Sequence, residues 1–248
     1  MILLDGRSLS EKILASIRPT GSLHIILVGD DPASLKYVSL KKEKCRQIGL
    51  NCVVHHLPTI TPTPDILTLI NNLNNDVDVT GFFVQLPLPP HLNRSKILNA
   101  ISRNKDVDGL AENSLFLPAV VKGIIRLLDE YHISLSGKNA VIINDSPLIG
   151  IPLKKALEKR RVTVTLCNDK TKSLPEVCQK ADLLVSATGV KNLVTAQYIK
   201  PEAIVVDVAN GDVDFEQVAP LSSYITPTFG GVGPMTIACL LENMTMVE

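Results

Sequence analysis

Tyr37 and Lys41 lie four residues apart in GDDPASLKYVSLK, residues 29–41. On a helix the two side chains share one face, a single turn apart. A phenol and an ammonium in that relation could hold a proton-transfer site. Lys42 and Lys44 follow at once, so a solvated helix face is the other reading, and spacing alone leaves both open. Gln85 closes the apolar run in FFVQLPLPP. Its amide is expected at the C-terminal edge of a strand, where open α/β sheets bind ligands; it could also satisfy loop backbone ahead of the prolines. Asp106 and Asp108 stand in KDVDG. The Asp-Gly pair reads as a turn, while a buried Asp108 could pair with the N–H and amino groups of a flat heterocycle. In GGVGPMT, residues 230–236, Gly230 and Gly231 permit close backbone approach to a ligand and Pro234 opens a helix. A structural turn explains that segment as well.

A second constellation follows residue 140. The turn NDSPLIG contains Asn144, Asp145, Ser146 and Gly150, between an apolar run and a helical pattern. A strand–turn–helix of that kind can cradle a pyrophosphate on helix N–H groups. It lacks GxGxxG, so by itself it is no more than a βα turn with Ser146 as a candidate phosphate donor. Asp169 lies just past the next strand, where a Rossmann unit binds ribose hydroxyls; it could instead cap the segment that follows.

These residues need a scaffold, and the apolar patterning supplies one. Strands are expected at 23–28, 51–57 and 80–86, with helices over 32–48, 64–75 and 94–102. A polar, turn-rich stretch at 104–118 precedes a helix at 119–131. The alternation then restarts with strands at 139–143, 162–167, 182–186 and 203–208 and helices at 151–159 and 174–180. An extended, glycine-rich segment over 224–233 leads to a last helix over 234–246. Strands joined by helices imply parallel sheets covered on their faces.

Composition excludes several classes. Lysine plus arginine and aspartate plus glutamate both number 25, and aromatics are 4% with no tryptophan. That balance offers neither a phosphate-tracking surface nor a stacking platform for nucleic acid. Five scattered cysteines without CxxC spacing point to reduced thiols rather than a disulfide frame or zinc site. The histidines look unclustered except for His55 and His56, whose side chains point to opposite strand faces, so no metal is assigned. Neither a signal peptide nor a membrane-length apolar run is evident, and a soluble cytoplasmic protein is expected.

Taken together and in order, LDGRSLS (4–10), LVGDDPAS with YVSLKK (27–42), GFFVQLPLP (81–89), KDVDGL (105–110), IGIPL, SATG and ITPTFGGVGPMT (225–236) resemble the bifunctional methylenetetrahydrofolate dehydrogenase/methenyltetrahydrofolate cyclohydrolase family, the FolD type. The resemblance covers essentially the whole chain. It implies two α/β domains around a cleft that binds tetrahydrofolate: 1–117 with 229–248 as the folate-binding catalytic domain, and 118–228 as a Rossmann-like domain. It places the catalytic lysine on Lys41, with Tyr37 and Gln85 beside it, and the pterin-binding aspartate on Asp108. Gly230, Gly231 and Pro234 fall at the substrate. Asn144, Asp145, Ser146, Gly150, Asp169, Thr188 and Gly189 fall at the dinucleotide. A homodimer is also implied.

The departures lie in the dinucleotide half. The family usually reads Gly-Arg-Ser where this chain has Asn144-Asp145-Ser146, and His-Ser where it has Asn168-Asp169. Val120-Val121 replace a Thr-Pro, and the loop between Val208 and Gly211 is short. The family implies NADP. Asp145 and Asp169 would repel a 2′-phosphate, by several kcal/mol at roughly 4 Å and intermediate dielectric, and Asp169 suits the free hydroxyl of NAD. Two other readings follow: a cyclohydrolase with a decayed dehydrogenase site, and a non-catalytic folate- or nucleotide-binding regulator. The second is disfavoured because a binder has no need of Lys41.

Overall fold

The computed structural model describes residues 1–247. By internal contacts the chain divides into two compact units, Met1–Glu11 with Val120–Thr236, and Lys12–Ala119 with the chain from Ile237 onward. This division differs from the expected boundaries at the N-terminus and at residues 229–236, both of which group with the larger sheet; the N-terminal difference has a visible cause. The reason is a short strand, β1 (Ile2–Leu3), which pairs with β9 (Ser222–Ile225) at the edge of the larger sheet. Asp5 then caps α1 (Gly6–Ser16) by accepting from the backbone of Arg7 and Ser8. Neither element was expected, because a two-residue strand carries no periodicity to read.

The lysine-bearing unit holds a three-stranded parallel sheet in the order β3-β2-β4. β2 (Ser22–Val28) feeds α2 (Pro32–Gln47), β3 (Asn51–Leu57) feeds α3 (Thr63–Asn75), and β4 (Val79–Val84) leads to α4 (Arg94–Leu98). The fourth helix is shorter than the expected 94–102, since Asn99 already caps it. Leu23, Ile25, Ile26, Ile66, Ile70, Phe82 and Phe83 are fully buried here. Each contributes about 1.5–3 kcal/mol through removal from water. The strands diverge between β2 and β4, with β3 on the opposite side of β2, which makes that boundary a topological switch point.

The other unit holds six parallel strands in the order β1-β9-β8-β7-β5-β6. α5 (Ala119–Glu130) leads to β5 (Asn139–Ile143), α6 (Gly150–Glu158), β6 (Thr163–Cys167), α7 (Leu174–Cys178), β7 (Leu183–Ser186), β8 (Ala203–Asp207), α8 (Phe215–Val218) and β9. α9 (Val232–Asn243) begins in this unit and from Ile237 belongs to the lysine-bearing one. Val141, Ile143, Leu184, Val205 and Ile225 form the core of the six-stranded unit. Here the switch point falls between β5 and β7, the arrangement in which doubly wound sheets bind nucleotides at the strands' carboxyl ends.

The expectation of unclustered histidines is corrected. His24 Nδ1 lies 2.8 Å from His55 Nε2. Parallel pairing of β2 with β3 brings these distant residues onto one face. His56 turns the other way, to the carbonyl of Gly29 at 3.0 Å. No cluster of three or more metal-ligating side chains occurs among the described residues.

Candidate active site

Lys41 reaches its position through the start of α2. Asp31 caps the helix by accepting from Ser34 N–H at 2.8 Å, and Pro32 begins it. The buried stripe of α2 is Ser34, Val38, Lys41 and Cys45. Lys41 is only 7% exposed, so its ammonium is not on the solvated face that spacing allowed. Its Nζ donates to Gln85 Oε1 at 3.1 Å and stands 4.1 Å from the centroid of the Phe83 ring. Tyr37, one turn earlier, is exposed at 40%.

Gln85 sits just past the end of β4, its N–H bonded to Ile26 of the adjacent strand at 2.9 Å. Its Nε2 donates to Leu86 carbonyl at 2.6 Å, which directs Oε1 at the lysine. Helix α2 from the end of β2 and the residue after β4 thus bring an amine and an amide together at the switch point of the small sheet. Burial pushes the Lys41 amine below its ordinary range, and the Asp108 carboxylate opposes that shift. Burial likewise raises the Asp108 carboxyl, and Lys41 lowers it. The two groups are electrostatic partners in one unit.

Asp108 is held by a turn whose keystone is its neighbour. Asp106 is 1% exposed and accepts from Gly109 N–H at 3.1 Å and Ala111 N–H at 2.8 Å. Gly109 adopts a φ of +73°, and a Cβ there would stand 2.7 Å from the Leu117 carbonyl oxygen. Only glycine suits both conditions. The sequence singled out Asp108 and gave Asp106 no role; the structure makes Asp106 a buried brace and sets Asp108 against Lys41 electrostatically.

In the other unit, Asn144 organises the turn between β5 and α6. Its Oδ1 accepts from Ser146 N–H at 2.9 Å, Ser146 Oγ at 2.7 Å and Gly150 N–H at 3.1 Å, and its Nδ2 donates to the Ala187 carbonyl at 2.7 Å. The last bond spans the switch point from β5 to the turn after β7. Ser146, expected as a phosphate donor, instead has its hydroxyl engaged within the turn. A Cβ on Gly150 would fall 1.9 Å from the Asn144 carbonyl oxygen, so the helix approaches the strand end as closely as a phosphate-binding turn requires. The tight approach at Gly150 thus fits a dinucleotide in shape, while the Ser146 and Gly150 donors are turned to Asn144. Asp145 and Asp169 are both exposed, and Asp145 Oδ2 accepts from Asn168 Nδ2 at 2.8 Å. In the sequence Asn168 is only a departure from the family pattern, and its contact with Asp145 carries no sequence signal. Thr188 and Gly189 form the exposed turn after β7, Gly189 with φ +76°.

Gly230 and Gly231 belong to this same unit, as does Pro234 inside the first turn of α9. Gly230 has φ +96°, and a Cβ on Gly231 would meet the Thr226 side chain at 2.9 Å. These glycines serve local packing as well as any ligand.

A doubly wound parallel sheet with a glycine-tight turn at its switch point, in a chain that also buries a lysine against a glutamine, defines an α/β enzyme of the dinucleotide-binding class. The tetrahydrofolate dehydrogenase/cyclohydrolase catalytic domain matches residues 4–108, and its NAD(P)-binding domain matches residues 118–248. The chain is 42% identical to the bifunctional protein FolD of Thermodesulfovibrio yellowstonii, over 97% of this chain and 94% of that protein. The crystal structure of the FolD dehydrogenase/cyclohydrolase from Campylobacter jejuni superposes with a TM-score of 0.93 at 43% identity, covering 100% of this chain and 98% of that one. The Trypanosoma brucei enzyme, solved with NADP and an inhibitor, gives a TM-score of 0.93 at 26% identity, covering 98% and 95%.

The chain belongs to the tetrahydrofolate dehydrogenase/cyclohydrolase family. Its activities are methylenetetrahydrofolate dehydrogenase and methenyltetrahydrofolate cyclohydrolase, with a nicotinamide dinucleotide as hydride acceptor. No helix among the described residues is long and apolar enough to cross a membrane.

Proposed function

We propose that Lys41 is the proton-handling residue of the hydrolytic step, positioned by Gln85, with Asp108 holding the pterin and Tyr37 contributing from the exposed side of α2. The observation that carries this reading is the buried Lys41–Gln85 hydrogen bond at 3.1 Å. A lysine on a solvated surface is an ammonium at neutral pH and cannot act as a base. Burial favours the free amine, and the Gln85 oxygen fixes where the nitrogen points. The methylene bridge of the folate is first oxidised to a methenyl cation. Water then attacks that carbon and the Lys41 amine accepts one of its protons. As the C–N bond breaks that proton passes to the departing ring nitrogen, and the remaining hydroxyl proton is released to solvent as the formyl C=O of the 10-formyl compound forms. Asp108 supplies a carboxylate for the N–H and amino groups of the pterin, a paired contact that offsets its own burial.

When bound, the dinucleotide supplies a nicotinamide that accepts the hydride. Asn144 and Gly150 shape the turn for its pyrophosphate, and Thr188 and Gly189 line the crevice at the end of β7. NAD is the preferred form. Asp145 carries a negative charge at the ribose end, its carboxylate oriented by Asn168, and Asp169 adds a second. A 2′-phosphate would meet both, whereas a 2′-hydroxyl can donate to either. The chain acts as a soluble homodimer with Gly230, Gly231 and Pro234 at the folate.

One assay tests the reading: methylenetetrahydrofolate with NAD or NADP, and methenyltetrahydrofolate alone. Faster reduction with NAD and rapid loss of the methenyl chromophore are expected. Equal or better reduction with NADP sinks the charge argument. Hydrolysis without any reduction means a decayed dehydrogenase site, and absence of both activities leaves a binder.

A further inference from the structure

At the carboxyl end of β7 the chain leaves the sheet through Ser186, Ala187, Thr188 and Gly189, and one carboxylate gathers that turn. Asp212 Oδ2 accepts from Ser186 Oγ at 2.6 Å, from Thr188 N–H at 2.6 Å and from Thr188 Oγ1 at 2.8 Å. Asp212 is 1% exposed. Its other oxygen is buried without a hydrogen-bond partner. A carboxylate so enclosed is costly, and a charge draws three donors onto one oxygen more strongly than a neutral amide does.

The short loop after β8 carries this group. Asp207 accepts from the N–H groups of Ala209, Gly211 and Val213, which folds the loop tightly. Asn192 N–H then bonds to the Gly211 carbonyl and Val194 N–H to the Asp212 carbonyl, tying the loop to the segment after Gly189. Thr188 Oγ1 in turn accepts from Val190 N–H at 3.1 Å. The turn is therefore pinned from the β8 side by Asp212 and from the β5 side by the Asn144–Ala187 bond. Between the pins, nothing lies within 4 Å of where a Cβ on Gly189 would stand, so the fixed turn presents an open face.

We propose that Asp212 is a positioning residue of the dinucleotide site, acting through Ser186 and Thr188 to hold the turn in its binding geometry. The inference rests on the assignment of Thr188 and Gly189 to the dinucleotide. Asp212 touches neither substrate nor cofactor. Its work is done before binding, by removing the freedom of a loop that a ligand would otherwise have to order.

The test is calorimetric titration of wild type, Asp212→Asn and Ser186→Ala with NAD and with NADP, beside the methenyl hydrolysis rate and the melting temperature. Asp212→Asn should weaken binding of the preferred dinucleotide about tenfold or more, and Ser186→Ala, which removes one of the three donors, about threefold. Hydrolysis should stay within about twofold in both, because Lys41, Gln85 and Asp108 lie in the other unit. Ser186→Ala keeps the test decisive if Asp212→Asn does not fold. Unchanged affinity in both variants overturns the proposal. So does a fall in hydrolysis and melting temperature in step with binding, which marks a merely structural residue. A wild-type chain that binds neither dinucleotide refutes the underlying assignment and this inference with it. Normal wild-type affinity retained in both variants refutes the inference alone.

Discussion

Replacing Asp106 by Asn should change how stability depends on pH, with a sign that follows from the loop geometry. Burial disfavours the ionised carboxylate, and the neighbouring Asp108 adds to that. The Ala111 and Gly109 N–H bonds favour the charged form. Burial wins, and the carboxyl is pushed up to about 6 from an ordinary 3.8. In the unfolded chain the group reverts to the ordinary value. Below that value it is protonated in both states, and its contribution to stability is fully present. As pH rises, the unfolded chain loses its proton first and the contribution fades until the folded group has also ionised. Between pH 4.5 and 7.5 the loss amounts to about 2 kcal/mol. Asn is neutral throughout, so the stability of wild type minus that of Asp106→Asn should fall by about 2 kcal/mol over that range, read by urea unfolding at the two pH values. A gap that stays constant would mean that the carboxyl is not displaced by burial. A gap that widens with pH would mean that the two amide bonds outweigh burial, and the reasoning would be refuted. The same variant has one acceptor oxygen for two loop amides, so the Asp108 turn should loosen and the KM for methenyltetrahydrofolate should rise.

Lys41→Ala should lower methenyl hydrolysis by about 10²- to 10⁴-fold while circular dichroism and dinucleotide binding stay unchanged; retained hydrolysis would refute its role. In the wild type, the acidic limb of kcat should lie at lower pH than that of kcat/KM, because a bound methenyl cation repels an ammonium. Gly150→Ala places a carbon 1.9 Å from the Asn144 carbonyl oxygen. It should cost about 1–3 kcal/mol in overpacking and weaken dinucleotide binding more than hydrolysis, measured by thermal melts and titration. Asp145→Arg combined with Asp169→Ser should raise NADP affinity relative to NAD, and no gain would show that these side chains do not face the ribose.

The alternation of apolar runs with 3.6-residue patterns was legible because the buried strands, such as LHIILV and NAVII, have no other use for such residues. β3 was read to the residue, and β2 and β4 to within two. The N-terminal strand was not, since Ile2 and Leu3 gain their meaning only by pairing with Tyr224 and Ile225. The site shows the same limit. Tyr37 and Lys41 were visible as a spacing, yet which of them is buried depends on how α2 rotates against the sheet, and the stripe of Val38 and Cys45 decides that in favour of Lys41. In KDVDG only Asp108 carried a signal, and the bracing role of Asp106 is visible only where the turn sends two amides to it. Asp212 left no trace, because its partners are 26 and 24 residues away and converge only when β7 and β8 lie side by side.

On the proposed role of Lys41, the electrostatics of the small unit would let a lysine, rather than a histidine with its lower ordinary pKa, serve as the base. Lys41 is subject to two opposed influences, burial that favours the amine and Asp108 that favours the ammonium. The two influences pair the Lys41 and Asp108 charges against the cost of burial. A pterin held by Asp108, as proposed, would weaken the influence that favours the ammonium. The methenyl carbon adds a positive charge, and like charges disfavour the ammonium further. On the proposed mechanism, substrate binding would therefore move Lys41 toward its basic form when a proton must be accepted from water. Once water has added, the cation is gone and the ammonium becomes favourable again. Gln85 does not take part in this exchange of charge. Its amide is neutral and fixed by the Leu86 carbonyl, so it holds the nitrogen in place through both protonation states.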